Sequence, residues 1–361
     1  MKREMLYELA ECMRRAAKGE ELTIGFLGGS ITQGSLATEE HKMYAHLVYR
    51  WWCRTFPKAS FHYVNAGIGG TSSHFGTARV QEDVLMYQPD VLIIDFSVND
   101  DADVFFQETY EGILRKSMSW QSRPALLLLN NVYYDTGKSA QDYHNVLAEY
   151  YNIPYVSIRD SIYQKICAGI YRREELTPDG LHPNDKGHEL VAGELIRTLE
   201  LAKEVAESEE AFPVTREMQE PMTVNAYENA VKWNIRNASP ILQGFRADTE
   251  EKQGHLDIFK NGWIGKKEGD GLVFETECSC MAVQYRKTIY KPSPVAELIL
   301  DGDTEHAVVL DGNFDEDWGD CLFLQKILHH AERGRHTVEI RIKETHSNDQ
   351  TPFYLVSFIS A

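Results

Sequence analysis

The chain has 361 residues, more than the roughly 100–150 that one hydrophobic core usually organises, so two domains are expected. It carries 37 Lys and Arg against 55 Asp and Glu, a net charge of −18, and a field of that sign repels nucleic-acid phosphates and anionic membranes. Nucleic acid and membrane are therefore not expected partners, and apolar runs such as VLIIDF and ALLLL fall far short of the roughly 20 residues that cross a bilayer.

At the N-terminus Leu6, Leu9, Met13 and Ala17 recur at helical spacing among charges, which predicts an amphipathic helix and not a secretory signal. The six cysteines (Cys12, Cys53, Cys167, Cys278, Cys280 and Cys321) are scattered without a disulfide-like pattern, so reduced thiols and a cytoplasmic setting are expected. Five short aliphatic runs follow: LTIGFL (22–27), FHYVNA (61–66), VLIIDF (91–96), ALLLLN (125–130) and PYVSI (154–158). They alternate with helical spacing over 41–56, 74–87, 106–120, 140–151 and 184–203, the pattern of a parallel sheet covered on both faces: a five-stranded, three-layer α/β/α sandwich.

Around residues 204–221 the periodicity lapses into acids and two prolines. The expected division is a first domain over 1–205, a linker over 206–222 and a second domain over 223–361. Beyond the linker, GHLDIF (254–259), LVFETECSCMAVQYRKT (272–288), VAELILDG (295–302), HAVVLDG (306–312), CLFLQKIL (321–328), HTVEIRIK (336–343) and FYLVSFISA (353–361) read as strands between Gly, Asp, Asn and Pro turns. An antiparallel, jelly-roll-like β-sandwich is expected there.

In a doubly wound sheet ligands bind beyond the carboxyl ends of the strands. Four segments lie at such positions: Gly28-Gly29-Ser30-Ile31-Thr32, Asn65 to Thr71, Ser97-Val98-Asn99-Asp100, and Asp179-Gly180-Leu181-His182-Pro183. In this order and at these distances they resemble the four signature blocks of the SGNH, or GDSL-like, hydrolase superfamily, over roughly residues 20–200. The resemblance implies a flavodoxin-like fold and a serine esterase. It makes Ser30 the nucleophile, Asp179 and His182 the acid and base, and the N–H groups of Ser30 and Gly70 with the Asn99 side chain the oxyanion donors. Gly67 and Gly69 are close by, and a one-residue slip in the alignment would change the second donor. Two departures from the common pattern stand out: Gly29 replaces an Asp and Ser97 replaces a Gly. The GGSIT variant recurs among members acting on acetylated sugars.

The chemistry of ester hydrolysis needs these groups. A serine hydroxyl requires a base within hydrogen-bond reach, and fixed donors must meet the charge that develops on the carbonyl oxygen. Read without the other blocks, Ser30, Asn99, Asp100 and the 179–185 loop are also ordinary helix-cap and turn sequences. His188 is a surface or packing histidine and takes no role. The acidic loop Asp311 to Asp317 lacks the sixth-place Gly and the terminal Glu of an EF-hand and is expected to be a solvated turn. Cys278 and Cys280, expected on one face of a strand, and His329 and His330 complete no tetrahedral set, so neither a metal nor another cofactor is expected.

An SGNH domain followed by a β-sandwich resembles esterases that deacetylate mannan or xylan oligosaccharides, so an acetylated oligosaccharide is the expected substrate. Trp233, Trp263, Trp318 and Tyr285 offer rings for sugars. Trp318, in the acidic stretch NFDEDWGD, is the one expected to bind substrate, from a loop reaching over the active site. A short-chain acyl esterase or thioesterase, and a non-catalytic carbohydrate-binding protein, are the alternative readings. A homo-oligomer is left open.

Overall fold

Aliphatic and β-branched runs in the first half of the chain form a parallel sheet. Its strands are β1 (Glu21–Gly28), β2 (Ser60–Gly67), β3 (Val91–Asp95), β4 (Ala125–Asn130) and β5 (Tyr155–Ser157), in the order β2-β1-β3-β4-β5. The computed structural model describes residues 2–208 and 218–361. The chain divides into two compact units, Met1–Glu228 and Asn229–Ala361.

The central strands are buried on both faces, so their apolar residues alternate between two cores. Ile24, Phe26, Ile93 and Leu127 pack with Leu9 and Met13 of α1 (Tyr7–Ala17), Trp52 of α3 (Tyr44–Thr55) and Leu195 of α8 (Asp185–Glu207). Leu92, Ile94, Leu126 and Leu128 face Val80 of α4 (Ser73–Asp83), Ile113 of α5 (Val104–Met118) and Leu147 of α6 (Gln141–Tyr150). The short α2 (Ser30–Gln33) and α7 (Gln164–Cys167) lie in connections. This is the expected three-layer sandwich. Among the described residues no helix is long and apolar enough to cross a membrane.

Most of the expected linker, 209–217, lies outside the described residues. The segment after it runs along α5. Thr223 donates its N–H to the Glu111 carboxylate at 2.8 Å, Ala226 donates to Glu108 at 2.8 Å, and Arg115 pairs with Glu228 at 2.7 Å. Residues 223–228 therefore belong to the first unit, and the division falls after Glu228.

The second unit consists of two antiparallel sheets enclosing one core. The first is ordered β13-β12-β15-β10-β7: β13 (Asp303–Asp311), β12 (Val295–Leu300), β15 (Gly334–Glu344), β10 (Gly271–Cys278) and β7 (Ile241–Gln243). The second is β14-β11-β16-β9-β8: β14 (Cys321–Leu328), β11 (Met281–Lys287), β16 (Phe353–Ser360), β9 (Trp263–Gly265) and β8 (Arg246–Ala247), with β6 (Val231–Trp233) also on β16. The inner faces meet through Leu298, Val338, Ile340, Val283, Leu355 and Phe358.

Two expectations need correction. GHLDIF is a loop: Leu256 is 49% exposed, and Phe259 turns to an aromatic contact with Tyr354 instead of pairing in a sheet. The run 272–288 is not one strand. It breaks at Ser279 and Cys280, whose N–H groups both donate to the Ala361 carbonyl, so that β10 and β11 lie in different sheets and Cys278 and Cys280 do not share a strand face.

Candidate active site

The four expected blocks gather where the parallel strands end, as the topology requires. Ser30 follows β1 and is the first residue of α2, with Gly29 at the cap position. The Ser30 hydroxyl faces His182, with Oγ 2.8 Å from Nε2. His182 Nδ1 donates to Asp179 Oδ2 at 2.7 Å, which fixes the tautomer whose free Nε2 lone pair faces the serine.

The spacing of Asp179 and His182 makes one compact loop. Asp179 Oδ1 accepts from Thr177 Oγ1 at 3.0 Å and from the N–H groups of Leu181 and His182 at 2.9 and 2.8 Å. Partial burial works to raise the Asp179 pKa, but these bonds and the His182 contact outweigh it and hold the carboxyl at about 2. Asp179 is thus a carboxylate whenever His182 needs a partner. The helix cap of this segment is Asn184, which accepts from the Gly187 N–H at 3.1 Å at the start of α8, so His182 stands outside the helix.

Beside Ser30, the loop after β2 presents a resolved set of N–H groups. Ile68 donates to the Gly28 carbonyl at 3.0 Å, Gly67 to Asn65 Oδ1 at 2.9 Å and Gly69 to Gln33 Oε1 at 2.6 Å. Among the described residues the Gly70 N–H makes no hydrogen bond; Gly70 is exposed and adopts φ +68°, a conformation glycine takes without strain. Of the three glycines, Gly70 keeps its donor available.

Asn99 follows β3, and its amide lies directly over Gly29: a Cβ on Gly29 would sit 2.2 Å from Asn99 Oδ1 and 3.0 Å from Nδ2. The departure at position 29 therefore has a steric cause in this chain. Any side chain there would displace the Asn99 amide from its place over Gly29.

A buried layer supports these groups. Arg79 of α4, fully buried, donates to the carbonyls of Gly28 at 2.9 Å and Ala66 at 2.7 Å and pairs with Asp83 at 2.9 Å, tying the ends of β1 and β2 together. His188 is buried: it accepts from the Tyr44 N–H at 3.3 Å and donates to the Ser35 carbonyl at 3.1 Å, a packing role that links α8 to the chain after Ser30. Asp95, at the end of β3, accepts from Asn131 at 2.8 Å and Thr32 at 3.2 Å. Burial pushes its carboxyl up to about 7, more than these bonds lower it. Sequence reasoning passed over Gln33, Arg79 and Asp95; only their place near the signature blocks marked them.

In the second unit, Trp263 and Tyr285 are buried, and Trp233 is half-buried with its indole N–H on Ser360 at 2.7 Å. Trp318 is 55% exposed, stands edge-on to Phe314 with centroids 5.0 Å apart, and donates to Glu316 at 2.5 Å. In the neighbouring acidic turn the Asp311 carboxylate accepts from the Asn313 N–H and side chain at 2.8 Å, and Asp315 pairs with Lys291 at 3.0 Å.

Comparison with known proteins places this geometry. Residues 26–190 match the model of the GDSL-like Lipase/Acylhydrolase family. A crystal structure of a two-domain esterase active on acetylated mannans, co-crystallised with mannopentaose, is 48% identical and superposes with a TM-score of 0.94, covering 98% of this chain and 94% of that one. A second crystal structure of a two-domain esterase active on acetylated mannans is also 48% identical, with TM-score 0.94 and coverages of 98% of this chain and 95% of that one. No curated protein matches the sequence. A relative of that identity along nearly the whole of both chains, together with the family match over the block-bearing region, means that this chain belongs to the GDSL-like lipase/acylhydrolase family and is a carboxylic ester hydrolase.

Proposed function

We propose that the protein is a serine esterase that removes O-acetyl groups from plant-derived oligosaccharides, acetylated mannans foremost. The observation that carries the mechanism is the relay Ser30 Oγ, His182 Nε2, His182 Nδ1, Asp179 Oδ2, with successive contacts of 2.8 and 2.7 Å. The likeness to an esterase active on acetylated mannans carries the substrate class.

Ser30 Oγ attacks the acetyl carbonyl carbon while its proton passes to His182 Nε2. The carbonyl oxygen takes the electron pair and the charge, met by the Ser30 and Gly70 N–H groups and the Asn99 amide. Collapse of the tetrahedral species breaks the bond to the sugar oxygen, which receives the proton from His182, and leaves Ser30 acetylated. Water, deprotonated by His182, then repeats the sequence and releases acetate. Asp179 stabilises the imidazolium in both halves.

The surplus of acid, 55 Asp and Glu against 37 Lys and Arg, suits a neutral sugar ester better than a phosphorylated or membrane-bound substrate. We place the enzyme in the cytoplasm, consistent with six free cysteines. Trp318, exposed and edge-supported by Phe314, is the residue we assign to a sugar ring. The test is acetate release from acetylated manno- and xylo-oligosaccharides by the wild type and Ser30→Ala, with mass spectrometry of the sugars. Serine-dependent deacetylation is expected. Acetate from aryl esters alone would leave the relay standing and remove the carbohydrate assignment.

A further inference from the structure

The three oxyanion donors come from different loops, and something must fix the distance between them. Asp100, the residue after Asn99, is buried. Its Oδ1 accepts from the N–H of Ser73, the first residue of α4 and three residues after Gly70, at 2.8 Å. Its Oδ2 accepts from His144 Nε2 of α6 at 3.1 Å, with both side chains wholly buried. The His144 ring in turn lies flat on Tyr110 of α5, centroids 3.7 Å apart and planes 3° from parallel.

We propose that Asp100 is the positioning residue of the oxyanion hole, one carboxylate that joins the Asn99 loop to the Gly70 loop while His144 holds it in register. The covalent path is short on both sides: one residue to Asn99 and three to Gly70. Within the Gly70 turn, Thr71 Oγ1 donates to the Ile68 carbonyl at 2.7 Å, and on the other side Asn99 and Asp100 both donate their N–H groups to the Phe96 carbonyl at 2.9 Å. A shift at Asp100 therefore reaches both donors, and donors misplaced by about 1 Å cost a rate on the order of 10²-fold. Asp100 touches no reacting atom.

This inference rests on Asn99 and Gly70 being the donors, so the test is a double-mutant cycle on an aryl acetate. Asn99→Ala alone should lower kcat by about 10²–10³-fold. Asp100→Ala should lower it by about 10²-fold with KM within about twofold, and Asp100→Asn, which keeps an acceptor for Ser73, should recover most of that loss. In the Asp100→Ala background Asn99→Ala should cost less than about tenfold, because the amide is already out of place. Wild-type kcat in Asp100→Ala, or a loss there that adds fully to that of Asn99→Ala, would overturn the proposal. If Asp100→Ala does not fold, the same cycle with Asp100→Leu, which fills the space and offers no acceptor to Ser73 or His144, decides. An inert Asn99→Ala in the otherwise native chain would instead overturn the donor assignment itself.

Discussion

The first unit holds two Asp–His pairs in opposite settings. Asp179 and His182 share one loop, touch at 2.7 Å and have side chains 45% and 24% exposed. Asp100 and His144 come from separate elements, touch at 3.1 Å and are wholly buried. In the loop, hydrogen bonds outweigh burial and hold Asp179 at about 2. In the interior, burial outweighs the bonds from His144 and Ser73 and pushes the Asp100 carboxyl upward. In the proposed mechanism the two pairs serve different ends. An imidazole at the surface can take a proton from Ser30 and return it to a leaving group, whereas one packed flat on Tyr110 can only hold its partner.

The largest effect should separate the two histidines. His182→Ala should lower kcat on an aryl acetate by about 10⁴-fold or more, with no further loss when Ser30→Ala is added, since the two act as a unit. His144→Gln should cost no more than about 10²-fold, through misplaced donors. Equal losses, measured on folded protein, would erase the distinction between relay and strut. Next, Asp179→Asn should lower kcat by about 10³–10⁴-fold at near-constant KM, because the imidazole loses the acceptor that fixes its tautomer.

A smaller effect sharpens the same contrast through pH. Asp95 is held at about 7 by burial, above the ordinary carboxyl value of 3.8. A carboxyl raised on folding contributes stability that is fully present below about pH 4 and is lost as pH rises through about 7. Wild-type unfolding free energy should therefore decline between pH 4 and pH 7 by an increment on the order of a few kcal/mol that Asp95→Asn lacks. Denaturant titrations of both proteins across that range make the comparison, and parallel curves would show that Asp95 does not carry the decline. The smallest effect belongs to the second unit. Trp318→Ala should raise KM for acetylated oligosaccharides about threefold to tenfold and leave an aryl acetate unaffected.

What could be read beforehand follows from how local each feature is. Gly28 to Ser30 and Asp179 to His182 are contiguous, so their chemistry shows in the chain itself. The central strands β1, β3 and β4 show because strands buried on both faces need nearly unbroken apolar runs, whereas the edge strands β2 and β5 are only partly buried and more mixed in composition. The bonds of Asp100 to Ser73 and His144, Arg79 to Gly28, and Gln33 to Gly69 join residues 27 to 51 positions apart, and no spacing rule reveals them. That Gly67 and Gly69 spend their N–H groups on Asn65 and Gln33 is likewise a matter of contacts that no spacing reveals. In the sandwich, GHLDIF has strand-like residues but no partner strand, and the 272–288 run hides a change of sheet at Ser279. Both are facts of pairing, which lies outside any short window of sequence.

The central claim is that Ser30, activated by His182, forms the covalent bond to the acyl group. Treatment with a fluorophosphonate, which bonds phosphorus to an activated serine oxygen as fluoride leaves, tests it directly when followed by peptide mass mapping. The expected result is one label per chain on Ser30, lost in Ser30→Ala and sharply slowed in His182→Ala. A label on another residue, or undiminished labelling of Ser30→Ala, would contradict it.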